Sequence, residues 1–270
     1  MGMNDNLNLI IGGTGKTGRR VAERLTAQGH PVRIGSRSGT PPFDWEARDT
    51  WAPVLEGVGA AYVTYYPDLS TPGAVAAVGE FAEVAAAHGV QRLVLLSGRG
   101  EPTHEAAEKA VQTAGPDWTI VRSGWFAQNF DEGFLTPVAG EIVLPAGDAV
   151  EPFVDADDIA AVAVAALTDP RHRGRVYEVS GPRALSFADV AAELSRATGR
   201  TITYRPVSKA EYADMLRAEG APAELAELFE GIVSGRNAEP ADGVQEALGR
   251  PATDFTVYAS RVAATGAWRD

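Results

Sequence analysis

Gly12, Gly15 and Gly18 recur at every third position of the stretch GGTGKTG, directly after the apolar run LNLII and directly before a helix-like pattern. Residues without side chains let a main chain turn sharply and approach a pyrophosphate. The helix that follows offers first-turn N–H groups and its positive end. Gly12, Gly13, Thr14, Gly15, Lys16, Thr17 and Gly18 therefore form a candidate phosphate loop, in which Gly15 is expected to need both clear space and glycine's backbone freedom. A nucleoside-triphosphate loop would need a glycine five residues before the Gly15-Lys16-Thr17 triplet, where the chain has Ile10. The loop is of the dinucleotide type.

The residues after the second strand-like run decide which dinucleotide. An NAD site places a carboxylate there for the ribose 2′-hydroxyl. This chain reads VRIGSRSG, so Ser36 and Arg37 stand in its place. A guanidinium pairs bidentately with a 2′-phosphate, so NADP(H) is the expected cofactor. Further along, SGWFAQNF follows a strand at the edge where open α/β sheets bind ligands. Trp125, Phe126 and Phe130 are candidates for an apolar wall of a small-molecule substrate site, with Gln128 and Asn129 as hydrogen-bonding groups. Asp131, Glu132 and His172 match no metal-ligand spacing, so no metal is expected.

These residues must be held by alternating strands and helices. Strands are expected at 7–11, 31–35, 60–65, 92–96 and 118–122, short and apolar as in a sheet buried on both faces. Helical patterns lie between them at 19–28, 51–56, 72–87 and 104–114, with Gly29, Gly89 and Gly115 as stops. Repeated βα units imply an α/β fold with a doubly wound parallel sheet. The rhythm loosens after Arg122. We expect a dinucleotide-binding core over residues 1–135, its sheet completed by 174–180, and a smaller α+β lobe over most of 136–270. Ser186 and Asp189 should cap a helix there.

Composition narrows the partners. A net charge of −12 with no basic block argues against a nucleic-acid surface. The absence of cysteine removes disulfides and thiolate chemistry. No apolar run is long enough for a membrane span. The segment MGMNDN has neither a signal-peptide pattern nor the Ser or Thr of a myristoylation site, so a cytoplasmic protein is expected. Nothing in the sequence sets an oligomeric state.

Taken together, IIGGTGKTGRRVAERL, RLVLLSG, AEKAVQTAGPDWTIVRSGWFAQNF, EPFVDADDIAAVAVAAL and YEVSGPRALSFADVAAELSRATG resemble the NmrA-like group of atypical short-chain dehydrogenases/reductases over nearly the whole chain. SRSGTPPFDW and VLLSGRGE look closest to bacterial relatives of the ergot-alkaloid reductase branch, which is similar to reductases of iminium or conjugated carbonyl groups. The resemblance implies a Rossmann core, with Asp44 near the adenine and Thr64, Tyr65 and the residues up to Pro67 beneath the cofactor. Ser97 holds the position of the family's serine, which implies a catalytic role and contact with the cofactor. The Tyr-x-x-x-Lys pair of typical members is absent; Tyr204 and Lys209 have the wrong spacing. His104 stands where many relatives carry a lysine, and Lys109 lies five residues along, on another face. His104 is thus either a proton donor beside the nicotinamide or a packed residue in a first helical turn. The reading that follows is an NADPH-dependent reductase of a C=N, C=C or C=O group in a small or medium organic molecule, plausible in specialised metabolism. The alternatives are a regulatory NADP(H) sensor without chemistry and a cofactor-retaining isomerase or cyclase.

Overall fold

The computed structural model describes residues 7–268. Residues 1–6, which carry the reading against a leader or lipid anchor, lie outside the described residues. The strands in chain order are β1 (Leu7–Ile11), β2 (Val32–Gly35), β3 (Val58–Val63), β4 (Arg92–Gly98), β5 (Asp117–Ser123), β6 (Glu141–Leu144), β7 (Val150–Glu151), β8 (Arg175–Val179), β9 (Leu185–Ser186) and β10 (Thr203–Pro206). The helices are α1 (Lys16–Ala27), α2 (Trp51–Leu55), α3 (Ala74–Ala87), α4 (Glu105–Thr113), α5 (Ala156–Thr168), α6 (Phe187–Thr198), α7 (Lys209–Ala218), α8 (Glu230–Val233), α9 (Gly243–Leu248) and α10 (Phe255–Ala264). Of the described residues, 7–123, 156–179 and 243–250 form one unit, and 124–155, 180–242 and 251–268 a second.

The first unit is built on one parallel sheet in the order β2-β1-β3-β4-β5-β8. Its order reverses between β1 and β3, and the C-terminal ends of strands at such a point open the crevice where doubly wound sheets take ligands. Leu9, Ile11, Ala61, Val63, Leu93 and Leu95 bury one face of the sheet against α2, α3 and α4. On α1, Val21, Ala22 and Leu25 repeat at helical spacing and are buried, and α1 packs on α5. Asp157 of α5 holds α1 by an ion pair to Arg24 at 3.0 Å, and Asp158 accepts from Arg250 at 2.7 Å. The doubly wound parallel sheet expected from the sequence is present, closed by β8 at the expected residues.

In the second unit, β6 pairs with β10 and β7 with β9. Its core is aromatic: Phe130, Phe153, Phe187 and Phe255 are all buried, with Phe130 and Phe153 ring centroids 5.1 Å apart. Ser186 and Asp189 form the expected capping box on α6, which stops at Gly199 in the left-handed region. Arg183 grips both oxygens of Asp254, at 2.7 and 2.9 Å, and that bond first of all holds the Asp254 carboxyl far below its usual range.

Two expectations need correction. The strand expected at 60–65 runs over Val58–Val63, because Thr64 turns its hydroxyl back onto the Ile11 carbonyl and ends the ladder. The expected boundary at residue 135 is also displaced. Residues 124–135 belong to the second unit, where Phe126 bridges to Val154 and Phe130 enters the aromatic core. Conversely α5 and α9 belong to the first unit. A Cβ on Gly243 would lie 2.3 Å from the Glu178 carbonyl oxygen, so only glycine lets α9 approach β8 this closely. Among the described residues no helix is long and apolar enough to cross a membrane.

One buried base ties this fold to pH. The His172 ring is buried with Nδ1 2.8 Å from the Tyr177 hydroxyl, and burial pushes its pKa below the ordinary 6.5. The unfolded chain therefore takes up this proton at a higher pH than the folded one. The His172 contribution is complete above pH 6.5 and lost as pH falls below it. Melting temperature should decline from pH 7.5 to about pH 5, and His172→Gln should flatten that decline. An identical slope in the variant would remove His172 from the explanation.

Candidate functional site

The phosphate loop is shaped by three close approaches. Gly12 has φ +68°, and a Cβ there would lie 2.4 Å from the Thr64 hydroxyl oxygen. Thr64 donates to the Ile11 carbonyl at 3.0 Å, tying the end of β3 to the end of β1. A Cβ on Gly13 would meet Ile34 at 2.8 Å, and one on Gly18 the Gly12 carbonyl oxygen at 2.2 Å. The loop thus needs glycine at 12 and 18 for the protein's own packing, whereas at Gly13 the close neighbour is the movable end of the Ile34 side chain.

Gly15 differs. Its φ of −81° is open to any residue, and its Cβ would meet only the Gly12 carbonyl oxygen, at 3.2 Å. The expectation that Gly15 needs special backbone freedom is therefore wrong. It caps α1 without a side chain to satisfy the first-turn N–H groups, and no acidic residue stands in that turn. An exposed glycine at an uncapped, acid-free helix start is a cradle that fits a bound anion. Thr14 is exposed beside it, Lys16 is half-buried, and Thr17 is buried where it accepts a hydrogen bond from Tyr62 at 3.0 Å. Thr17 is accordingly a packing residue of the loop.

At the end of β2 the chain turns around the Ser36 carbonyl, which accepts from Gly39 and Phe43. Arg37 projects from this turn, exposed, and its guanidinium makes no hydrogen bond or ion pair among the described residues. Ser36 Oγ lies 3.4 Å from Ser38 Oγ. Asp44 organises the next loop: its carbonyl accepts from the Trp51 indole at 2.8 Å and its carboxylate from the Glu46 N–H at 3.1 Å. Trp45, which sequence reasoning missed, donates to the Thr64 carbonyl at 3.1 Å and lies 5.0 Å from the half-buried Tyr65 ring. Ser36, Arg37, Thr64 and Tyr65 thus follow the C-terminal ends of β2 and β3, beside the loop that follows β1.

His104 is buried in the single 3-10 turn before α4. Its Nδ1 accepts the Gly98 N–H at 2.9 Å, and a main-chain N–H can only donate, so the ring's proton is on Nε2. Nε2 donates to Asp68 at 3.1 Å. Burial acts to raise the Asp68 carboxyl, but hydrogen bonds from His104 and Ser70 outweigh it and hold it at about 2. With both ring nitrogens engaged by Gly98 and Asp68, the contacts of His104 favour the packed reading over the proton donor. Lys109 is exposed, as its spacing suggested.

Ser97 fares similarly. Its hydroxyl is buried and donates to Glu108 at 2.6 Å. Glu108, itself buried on α4, is gripped by Arg122 through bonds of 2.6 and 2.9 Å, and the Glu108 bond raises the Arg122 pKa. Arg122 and Arg99 both reach Glu178 on β8. Ser97 is one end of a buried charge network that pins α4 to the strand ends, not an acid facing a ligand. Asp68 and Glu108 were both missed; Glu108 directly precedes the Lys109 that drew attention, and only its burial distinguishes it.

In the second unit, Trp125 and Phe126 are half-buried, with Trp125 packed at 5.9 Å from Phe134 and 5.7 Å from Phe229. Asn129 is half-buried as well. Phe130 as a wall residue and Gln128 as a hydrogen-bonding group of the pocket require correction. Both are fully buried, Phe130 among aromatic rings and Gln128 donating to Asp155 at 2.8 Å. A polar side chain sealed in a core needs such a partner, and Gln128 serves the fold.

Two family models match the chain, NAD(P)H-binding over residues 12–170 and the NmrA-like family over residues 104–256. The (4-alkanoyl-5-oxo-2,5-dihydrofuran-3-yl)methyl phosphate reductase of Streptomyces griseus is 36% identical, with 92% of this chain and 94% of that protein covered. Agroclavine dehydrogenase of Claviceps fusiformis is 32% identical, with 92% and 91% covered. The crystal structure of Citrobacter sp. triphenylmethane reductase complexed with NADP(H) shares the fold, with TM-score 0.77, 22% identity, and 96% of this chain and 99% of that one covered. The chain belongs to the NmrA-like family of NAD(P)H-binding proteins.

The loop geometry separates two glycine variants. Gly15→Val should fold with a near-native melting temperature and lose roughly ten- to a hundredfold in NADPH affinity, the worth of a charge-assisted contact. Gly18→Ala forces a Cβ onto a carbonyl oxygen and should destabilise the fold by about 3 kcal/mol. Thermal melts with cofactor titration check both. A Gly15→Val protein that binds NADPH normally would refute the cradle.

Proposed function

We propose that this protein is an NADPH-dependent reductase of a small or medium organic molecule, acting on a hydride acceptor that needs no proton from the protein. The observation that carries the cofactor choice is Arg37, an exposed guanidinium with no partner among the described residues, standing where an NAD site has a carboxylate. Gly12 to Gly18 and the start of α1 would hold the pyrophosphate, and Arg37 with Ser36 the 2′-phosphate. Bound NADPH supplies a hydride. The protein's own part is to hold that donor and order the strand ends around it.

The substrate chemistry rests on where the protons are. His104 gives its only ring proton to Asp68 and Ser97 gives its hydroxyl proton to Glu108. A carbonyl needs a proton as its oxyanion forms, and general-acid help is typically worth 10²–10⁴-fold. An iminium becomes a neutral amine on hydride addition alone. C=N⁺ and similarly electron-poor acceptors therefore fit the site better than simple ketones. The relatives named a reductase and a dehydrogenase support net redox over the sensor or isomerase readings. A role in specialised metabolism rests on the agroclavine relative.

Cofactor choice gives the direct test. NADPH should bind about ten- to a hundredfold more tightly than NADH, and Arg37→Ala should erase most of that difference while leaving NADH affinity unchanged. Calorimetric titration of both cofactors checks it. Equal native affinities would overturn the NADP(H) assignment, and tight binding with no NADPH oxidation across an iminium, quinone and enone panel would favour the sensor.

A further inference from the structure

We propose that His104 and Asp68 form a positioning clamp that joins the loops leaving β3 and β4 and holds the edge of the cofactor site ready before the cofactor arrives. The proposal rests on the dinucleotide reading of the site; the clamp itself is observed in the protein's own hydrogen bonds.

The ring's Nδ1 holds the Gly98 N–H at 2.9 Å and its Nε2–H holds Asp68 at 3.1 Å, so one side chain joins the loop after β3 to the last residue of β4, beyond Val63 and Leu95 where the ladder between these strands ends. Both ends are prepared. A Cβ on Gly98 would lie 2.8 Å from both Nδ1 and Cε1, so a glycine is what lets the imidazole dock against the end of β4. Asp68 is oriented by the Ser70 N–H at 2.8 Å and the Ser70 hydroxyl at 2.5 Å. Asp68 lies four residues past Thr64, whose hydroxyl ties β3 to the start of the phosphate loop. The β4 loop is fixed beyond Gly98 as well, where the Arg99 N–H donates to the Ser123 carbonyl at 2.9 Å and Arg99 Nε reaches Glu178 at 3.3 Å.

A binding-competent conformation occupied only part of the time weakens apparent affinity in proportion to its occupancy. Releasing the clamp so that the loops are ordered about a tenth of the time would raise the NADPH Kd about tenfold. The chemical step keeps its rate once the cofactor is seated, because neither residue touches the reacting atoms. His104 and Asp68 are positioning residues.

The test combines NADPH affinity, the KM-against-kcat split and amide exchange of the cofactor-free protein. His104→Ala and Asp68→Ala should each raise the NADPH Kd and KM about tenfold, leave kcat and its pH profile in place, and speed exchange across 64–70 and 98–104. The double variant should be no worse than either single, because the two act as one unit. Asp68→Asn keeps an acceptor for the Nε2 proton and should bind NADPH within about twofold of native. It also guards against misfolding of the alanine variants, since its exposed position makes it safe for the fold. Additive losses, native exchange in the alanine variants, or a kcat collapse with loss of a pH inflection would overturn the clamp. Native protein that binds no dinucleotide would instead sink the cofactor reading, and the exchange data would still decide whether the clamp exists.

Discussion

The site depends on how closely β1 and β3 can meet. Thr64 places its hydroxyl on the Ile11 carbonyl, and the space it uses is the space a side chain on Gly12 would need. That contact ties the end of β3 to the end of β1, directly before the turn that leads into α1. The remaining loop follows from it. Gly18 sits against the Gly12 carbonyl oxygen, and Gly15 closes the turn by donating its N–H to the same atom at 2.8 Å. The start of α1 is then presented to the crevice with no side-chain cap of its own. Gly12 and Gly18 are consumed by packing, while Gly15 stays exposed with an unstrained backbone.

A second constraint governs the chemistry. The strand ends carry an unusual share of buried polar groups, yet their donors are already engaged. Glu108 takes the Ser97 proton and two branches of Arg122, and Asp68 takes the His104 proton. A buried carboxylate such as Glu108 is tolerable only with such partners, and removing one of them leaves an uncompensated charge, whereas Asp68 is exposed and keeps contact with solvent. The same bonds engage the donors of Ser97 and His104 within the protein. The proposed preference for a hydride acceptor that needs no protein proton rests on that engagement.

Much of this was legible in the sequence, for physical reasons that differ by element. The glycine spacing announces the loop because steric demand restricts residue type. Arg175–Val179 and the Ser186–Asp189 box were readable because an edge strand alternating exposed Glu178 with buried Tyr177 and Val179, and a capped helix start, both leave local patterns. The roles of individual side chains were less accessible. His104 looked like a catalyst by position in the chain, but its partners come from Gly98, six residues back, and Asp68, thirty-six back. Phe130 and Gln128 looked like ligand groups because aromatic and amide residues line pockets and cores alike; only burial among Phe153, Phe187 and Phe255, or against Asp155, separates the two. The boundary near residue 135 was misplaced because contacts that cross the chain, such as Phe126 with Val154, leave no local trace.

The central claim is that this chain delivers a hydride without supplying a proton. Single-turnover reduction with NADPH carrying deuterium at both C4 positions tests it, using a cyclic iminium and its matching ketone across a range of pH. The account expects deuterium in the amine product, a rate with no inflection assignable to the protein, and a ketone reaction slower by about 10²-fold or more for want of an acid. Deuterium-free product, or a ketone reduced as fast as the iminium with a protein-derived inflection near neutrality, would contradict it.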